Sequence, residues 1–222
     1  MGKHSVCFFG DETLLGLNDP EGNGWGQRVV RAERGNGHVL VPYILAVEGD
    51  TTAKIASRWG QEANARLTGL PASAIVFCFG LHDQATHLDD VQIPIQETLD
   101  LAEAMVTEAS AWRTVFWVGP PPVRGSNIPM LGRSQQPLVY DNVRLRVLTQ
   151  SFANIAAHNG VPYLDLCSGL DGQRRYTNAL VKSNGVLPGE DGHAMIAEML
   201  QSWMPWRDWL DRGISANLLK RI

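Results

Sequence analysis

The sequence predicts an α/β fold in which a mainly parallel sheet is covered by helices on both faces. Two observations carry this. Short apolar runs rich in β-branched or aromatic residues alternate with longer segments whose apolar residues recur at helical spacing. The short runs are also bounded by Gly or Pro, which punctuate strand ends.

Taken in order, residues 6–9 (Val-Cys-Phe-Phe) read as the first strand, ending at Gly10, and residues 39–45 as the second. Residues 74–79, stopped by Gly80, are the third, Thr114–Val118 the fourth and 162–166 a fifth. Helical spacing covers 53–67, 95–111, 139–159 and 192–204, with Gly160 supplying a stop. The segment 120–137 opens with three prolines and has few apolar residues. It reads as a candidate substrate-covering loop, or as a surface excursion without function. The tail from Gln201 to Leu210 carries three tryptophans around Pro205. Core packing is its plainer reading and a homodimer interface the sharper one.

A chain of 222 residues suits one large domain spanning 1–222. With 44% hydrophobic and 19% charged residues it has the composition of an ordinary globular protein. A formal net charge of -4, without a run of Lys or Arg, gives no electrostatic footprint for nucleic acid or an anionic membrane. The few apolar residues before Gly10 are too short for a signal peptide, and no stretch approaches the roughly 18–20 apolar residues of a membrane span. Cys7, Cys78 and Cys167 lie far apart without CxxC spacing, which predicts buried thiols. A soluble cytoplasmic protein acting on a small molecule, with no cofactor or metal, is the expectation.

In open α/β sheets ligands bind beyond the carboxyl ends of the strands. After the first strand comes Gly10-Asp11-Glu12-Thr13; after the second, Val47-Glu48-Gly49-Asp50-Thr51; after the third, Gly80-Leu81-His82-Asp83. Acidic groups and a histidine thus converge on one edge. Asp11 and Asp50 also suit the plainer role of satisfying turn amides.

Several blocks resemble a known family. Phe8-Phe-Gly-Asp-Glu-Thr-Leu-Leu-Gly, continuing from Asn18 through Trp25, is similar to the first block of bacterial GDSL/SGNH hydrolases, the lysophospholipase-like esterases. Residues 43–52 resemble their second block, 77–83 their third, and Asn184-Gly-Val-Leu-Pro-Gly-Glu-Asp-Gly-His193 their last. The resemblance implies a three-layer α/β/α sandwich of SGNH-hydrolase or flavodoxin-like type with a sheet of about five strands.

It also implies a serine nucleophile after Gly-Asp of the first block, where this chain has Glu12. The last block would carry an aspartate and, three residues on, the histidine base; Asn184 and Leu187 stand there. The third block would end Gly-x-Asn-Asp, its Asn an oxyanion donor, and His82 takes that place, while Gly49 of the oxyanion hole is kept.

A serine esterase needs a hydroxyl nucleophile, a base and a group that orients the base. Leucine can exchange no proton. Glu12 and His82 are therefore the candidate catalytic pair, since a buried carboxyl raised toward neutrality and an imidazole can act as general acid and base. The reactions in view are cyclisation, dehydration, isomerisation or hydrolysis without an acyl-serine. Asp11, Thr13, Gly49, Asp83, Arg124 and Asn184 are the candidate substrate-binding set, with Arg124 and Arg133 able to pair with an anionic group. Three alternatives stand beside this: a pseudo-hydrolase that binds a ligand or partner, a residual esterase rebuilt around Thr13, and a divalent-metal site made by Glu12, His82 and Asp83. His193 on the last helix can simply pack.

Overall fold

The computed structural model describes residues 3–218. Both ends of the 1–222 span given to the domain lie outside the described residues. The chain begins β1 (Lys3–Gly10), α1 (Glu12–Leu15), α2 (Trp25–Gly35), β2 (Val39–Ala46), α3 (Thr52–Leu67) and β3 (Ser73–Cys78). It continues with β4 (Thr86–His87), β5 (Asp90–Val91), α4 (Ile95–Trp112), β6 (Thr114–Val118), β7 (Ile128–Leu131) and β8 (Pro137–Tyr140). The last third holds α5 (Asn142–His158), β9 (Tyr163–Leu164), α6 (Leu166–Leu170), α7 (Arg174–Lys182), α8 (Glu190–Ser202) and α9 (Met204–Leu218).

Five of the strands form a parallel sheet in the order β2-β1-β3-β6-β9. Every residue of β3, and every residue of β1 after Lys3, is buried, because helices cover both faces and no side needs to be polar. The period-two alternation sorts the side chains. Val6, Phe8 and Val76 pack with Trp25 of α2, Leu200 of α8 and Trp206 of α9. Cys7, Phe9, Ile75 and Phe77 face the other way, onto Ile55 and Trp59 of α3, Met105 of α4 and Phe152 of α5. Burying each such Phe or Leu contributes about 1.5–3 kcal/mol, so these two layers supply the main cohesion of the fold.

Three sequence expectations change. Residues 137–140 form β8, and the helix predicted from 139 begins only at Asn142, where the Asp141 carboxylate caps the Val143 N–H at 2.7 Å. The loop 120–137 contains β7, and β7 and β8 pair as an antiparallel hairpin that joins β4 and β5 in a second sheet, β5-β4-β8-β7. The helix predicted over 192–204 breaks at Trp203, and Met204 starts α9.

The tail tryptophans pack as core. The rings of Trp203, Trp206 and Trp209 lie 5.8, 5.4 and 5.7 Å from that of Phe116 on β6. Arg207 donates to both oxygens of the fully buried Glu33 on α2 at 2.7 Å, tying α9 to the layer beneath it. All three cysteines are buried and free. Among the described residues no helix is long and apolar enough to cross a membrane.

Candidate active site

The strand order reverses direction between β1 and β3, and such a switch point leaves a crevice beyond the carboxyl ends of the two strands. Gly10, the last residue of β1, lies so close to β3 that an added Cβ would meet the Cys78 carbonyl oxygen at 2.5 Å. Asp11 then caps the single turn of α1, accepting from the Thr13 N–H at 2.9 Å and the Thr13 hydroxyl at 2.7 Å. That turn sets Glu12 at the crevice floor.

His82 arrives from the turn after β3, and its Nε2 lies 2.9 Å from each Glu12 carboxylate oxygen. The Gly49 N–H, from the turn after β2, donates to Glu12 Oε2 at 2.8 Å. Gly49 adopts φ +72°, a backbone conformation in which any Cβ is strained, so the amide's aim depends on glycine. On the far side of the ring, Nδ1 lies 3.0 Å from the Tyr140 hydroxyl of β8. That hydroxyl donates to a neutral imidazole and accepts from an imidazolium. Glu12, His82 and Tyr140 are 3%, 1% and 1% exposed.

Burial pushes a carboxyl up, yet the hydrogen bond and charge of His82, with the Gly49 amide, outweigh it and hold Glu12 below the ordinary carboxylate range. Burial likewise pushes an imidazole down, and Glu12, helped by the negative potential of Asp11 and Asp83, more than reverses this for His82. Both shifts favour the charged forms, so each partner stabilises the other's charge. The expectation of a Glu12 carboxyl raised toward neutrality is corrected: His82 is near enough to keep it ionised. The raised carboxyl is Asp11, pushed up to about 6 by burial and by the charge of Glu12.

The pair backs onto a cavity of about 350 Å³. His82, Gly49, Lys54 of α3, Gln92 and Arg133 with its neighbours in the β7–β8 hairpin line it. A larger hollow of about 480 Å³ opens beside Trp112, Arg113 and Gly160, but no carboxylate or imidazole lines it.

Of the residues predicted to meet substrate, Gly49 and Arg133 line this cavity with His82. Asp11 and Thr13 are buried and bonded to each other. Asp83 is a strut: its carboxylate accepts from the Thr52 N–H at the start of α3 and from the Thr98 hydroxyl of α4. Asp50 is held by Arg58 at 2.7 Å. Arg124 is exposed, and its backbone N–H donates to the Gly185 carbonyl at 2.8 Å, off the cavity wall.

Asn184 uses Oδ1 to accept from the Val186 and Leu187 amides at 3.0 and 2.8 Å. Leu187 is buried in an apolar cluster with Leu81, Ile128 and Tyr140. His193 is buried too, and burial pushes its imidazole down to about 4. Among the described residues no three His, Cys, Asp or Glu side chains gather to hold a metal ion.

Tyr140 and Lys54 are the site residues that sequence reasoning missed. Helical spacing over 139–159 places Tyr140 in a helix; the alternation of Pro137, Leu138, Val139 and Tyr140 between exposed and buried positions is strand-like, and Asp141 marks the true helix cap.

Fold and site together define a doubly wound α/β protein with ionisable groups gathered at its switch point. The chain belongs to the GDSL-like lipase/acylhydrolase family, whose profile matches residues 8–195. Among solved structures it is similar to a lipase/acylhydrolase from Enterococcus faecalis, at 19% identity, covering 89% of this chain and 93% of that one, with a TM-score of 0.67. A catalytic mutant of an acetylxylan esterase from Geobacillus stearothermophilus is 14% identical over 90% of this chain and 93% of its own, with a TM-score of 0.67. A member of the lipolytic protein G-D-S-L family from Veillonella parvula is 15% identical over 91% and 98%, with a TM-score of 0.64. At these identities the likeness is one of fold. No curated protein matches the chain by sequence.

Proposed function

We propose that this member of the family is an enzyme that moves protons on a small molecule without forming an acyl-serine, using the buried Glu12–His82 pair. The observation that carries the reading is the pair itself: a carboxylate and an imidazole, 2.9 Å apart, at the switch-point crevice. His82 is the group presented to the cavity. Its Nε2 faces two carboxylate oxygens at equal distance, so it can pass one contact to a substrate atom and keep the other. Glu12 Oε2 also holds the Gly49 amide, which leaves Oε1, bonded to His82 alone, as the oxygen that exchanges a proton with the ring. Tyr140 is a positioning residue, fixing the ring through Nδ1.

A hydroxyl route is poorly served here. The Thr13 hydroxyl is bonded to Asp11, and Leu187 and Asn184 serve packing and a turn. One observation favours a second reading, a binding protein that uses the pair as a fixed floor: both ring nitrogens are already engaged within the chain.

The test begins with a fluorophosphonate probe. No labelling is expected, and labelling lost in Thr13→Ala would return the protein to the esterases. Incubation with a small-molecule extract, followed by mass spectrometry, then seeks turnover. Glu12→Gln should lower it by about 10²–10⁴-fold. Tyr140→Phe should shift the pH profile with a smaller loss. Full turnover in Glu12→Gln refutes the acid/base reading, and binding without any conversion by the wild type establishes the second one.

A further inference from the structure

The protein carries a net charge of -4, yet no carboxylate lines the cavity that holds His82. Besides His82, two residues that carry a positive charge do, Lys54 and Arg133, and both approach Gly49. The Lys54 ammonium donates to the Gly49 carbonyl at 2.7 Å, which fixes that charge beside Gly49. Arg133 reaches the same glycine from above, its Cβ 3.6 Å from where a Gly49 Cβ would lie. Other arginines near the site are committed: Arg58 to Asp50, and Arg144 to the Gln84 and Val139 carbonyls. Arg133 lines the cavity, and its guanidinium has no hydrogen-bond or ion-pair partner among the described residues.

A guanidinium is a planar fork of donors that matches carboxylate and phosphate oxygens two at a time, and an ammonium adds a point charge. A cavity of about 350 Å³ is at the small end of ligand sites. The rest of its polar lining, Gln92, Ser134 and Gln136, is neutral and suits hydroxyl or amide groups.

We infer that the substrate is a small molecule bearing a carboxylate or phosphate group, which Arg133 and Lys54 hold so that its uncharged part meets His82. As a statement about substrate the inference rests on the acid/base reading of the cavity; as a statement about anion binding it is tested separately. The amide resonances of Gly49 and Gly132 would be followed by NMR at constant ionic strength while succinate or glycerol phosphate is titrated. The neutral probes succinamide and glycerol serve as controls.

Saturable shifts are expected with the anions and not with the controls, and the stronger of the two anions assigns the group. The double variant Lys54→Ala/Arg133→Ala should weaken binding by about tenfold or more. Glu12→Gln should still bind the anion, because Lys54 and Arg133 remain, and its amide spectrum reports its folding. Equal shifts from the neutral probes, unchanged affinity in the double variant, or no binding of either anion overturns the subsite. Anion binding with full turnover in Glu12→Gln removes the acid/base reading and leaves the subsite standing.

Discussion

The carboxyl ends of β1 and β3 and the segment 184–193 are the two regions where the family resemblance places chemistry, and they are built by opposite means. At the first, buried ionisable groups satisfy one another: Glu12 bonds His82 and the Gly49 amide, and His82 bonds Tyr140. At the second, Asn184 closes a turn, Leu187 fills an apolar cluster and His193 lies buried, its imidazole pushed down to about 4. A buried charge costs stability unless it is paired, whereas a buried leucine contributes by being buried at all. One region therefore holds buried charges that satisfy one another, whereas the other holds a turn, an apolar side chain and a buried imidazole whose ring nitrogens have no hydrogen-bond partner among the described residues.

The largest expected effect that separates the regions is on stability. His82→Ala strands the Glu12 charge and should cost about 3–5 kcal/mol. Leu187→Ala opens a cavity and should cost about 2–5 kcal/mol. The sizes overlap, so pH distinguishes them. Glu12 is held below its ordinary value, so its contribution is present above the unfolded carboxylate pKa and is lost as pH falls through the folded one. His82 is raised, so its contribution is complete below the ordinary imidazole value and disappears as pH rises through the folded one. Urea denaturation across pH should show a His82→Ala deficit that is widest between these limits and a Leu187→Ala deficit that is flat. A pH-dependent Leu187→Ala deficit would erase the contrast.

Asp11 gives an intermediate effect of opposite sign. Its carboxyl rises from an ordinary 3.8 to about 6 in the fold, so the folded state binds the extra proton and stability declines as pH climbs through that interval. Asp11→Asn should flatten the decline between about pH 4 and about pH 7 in the same titration. A slope identical to that of the wild type would mean that the Asp11 carboxyl is not raised in the fold.

The smallest effect belongs to Asn184. Asn184→Ala frees the Val186 and Leu187 amides and should cost about 1 kcal/mol, with Asn184→Asp restoring the turn. If Asn184→Ala instead lowers turnover more than it lowers stability, the last segment belongs to the machinery.

Much of the fold is legible along the chain. Strands that are apolar on both faces, such as 74–78, announce a sheet covered on two sides, and a Gly after a strand announces its end. Glu12 and His82 could be nominated because each follows such an end, and strand-end positions share an edge whenever the sheet is parallel.

The small second sheet was less legible, because strands of two to four residues give too short an alternation to oppose the helical pattern that follows. Misreading β8 hid Tyr140, and misreading the hairpin left Arg124 and Arg133 equivalent when only Arg133 reaches the cavity. Charge states were also beyond the sequence. A carboxyl in the interior rises or falls according to whether a cation touches it, and Asp11 and Glu12, adjacent in the chain, move in opposite directions. The sequence by itself determined the sheet, its covering layers and the edge where ionisable groups collect, because those follow from periodicity and strand ends. Only the tertiary structure decided which of those groups are bonded together, which face the cavity and which are charged, because such properties depend on contacts between residues as far apart as Glu12, His82 and Tyr140.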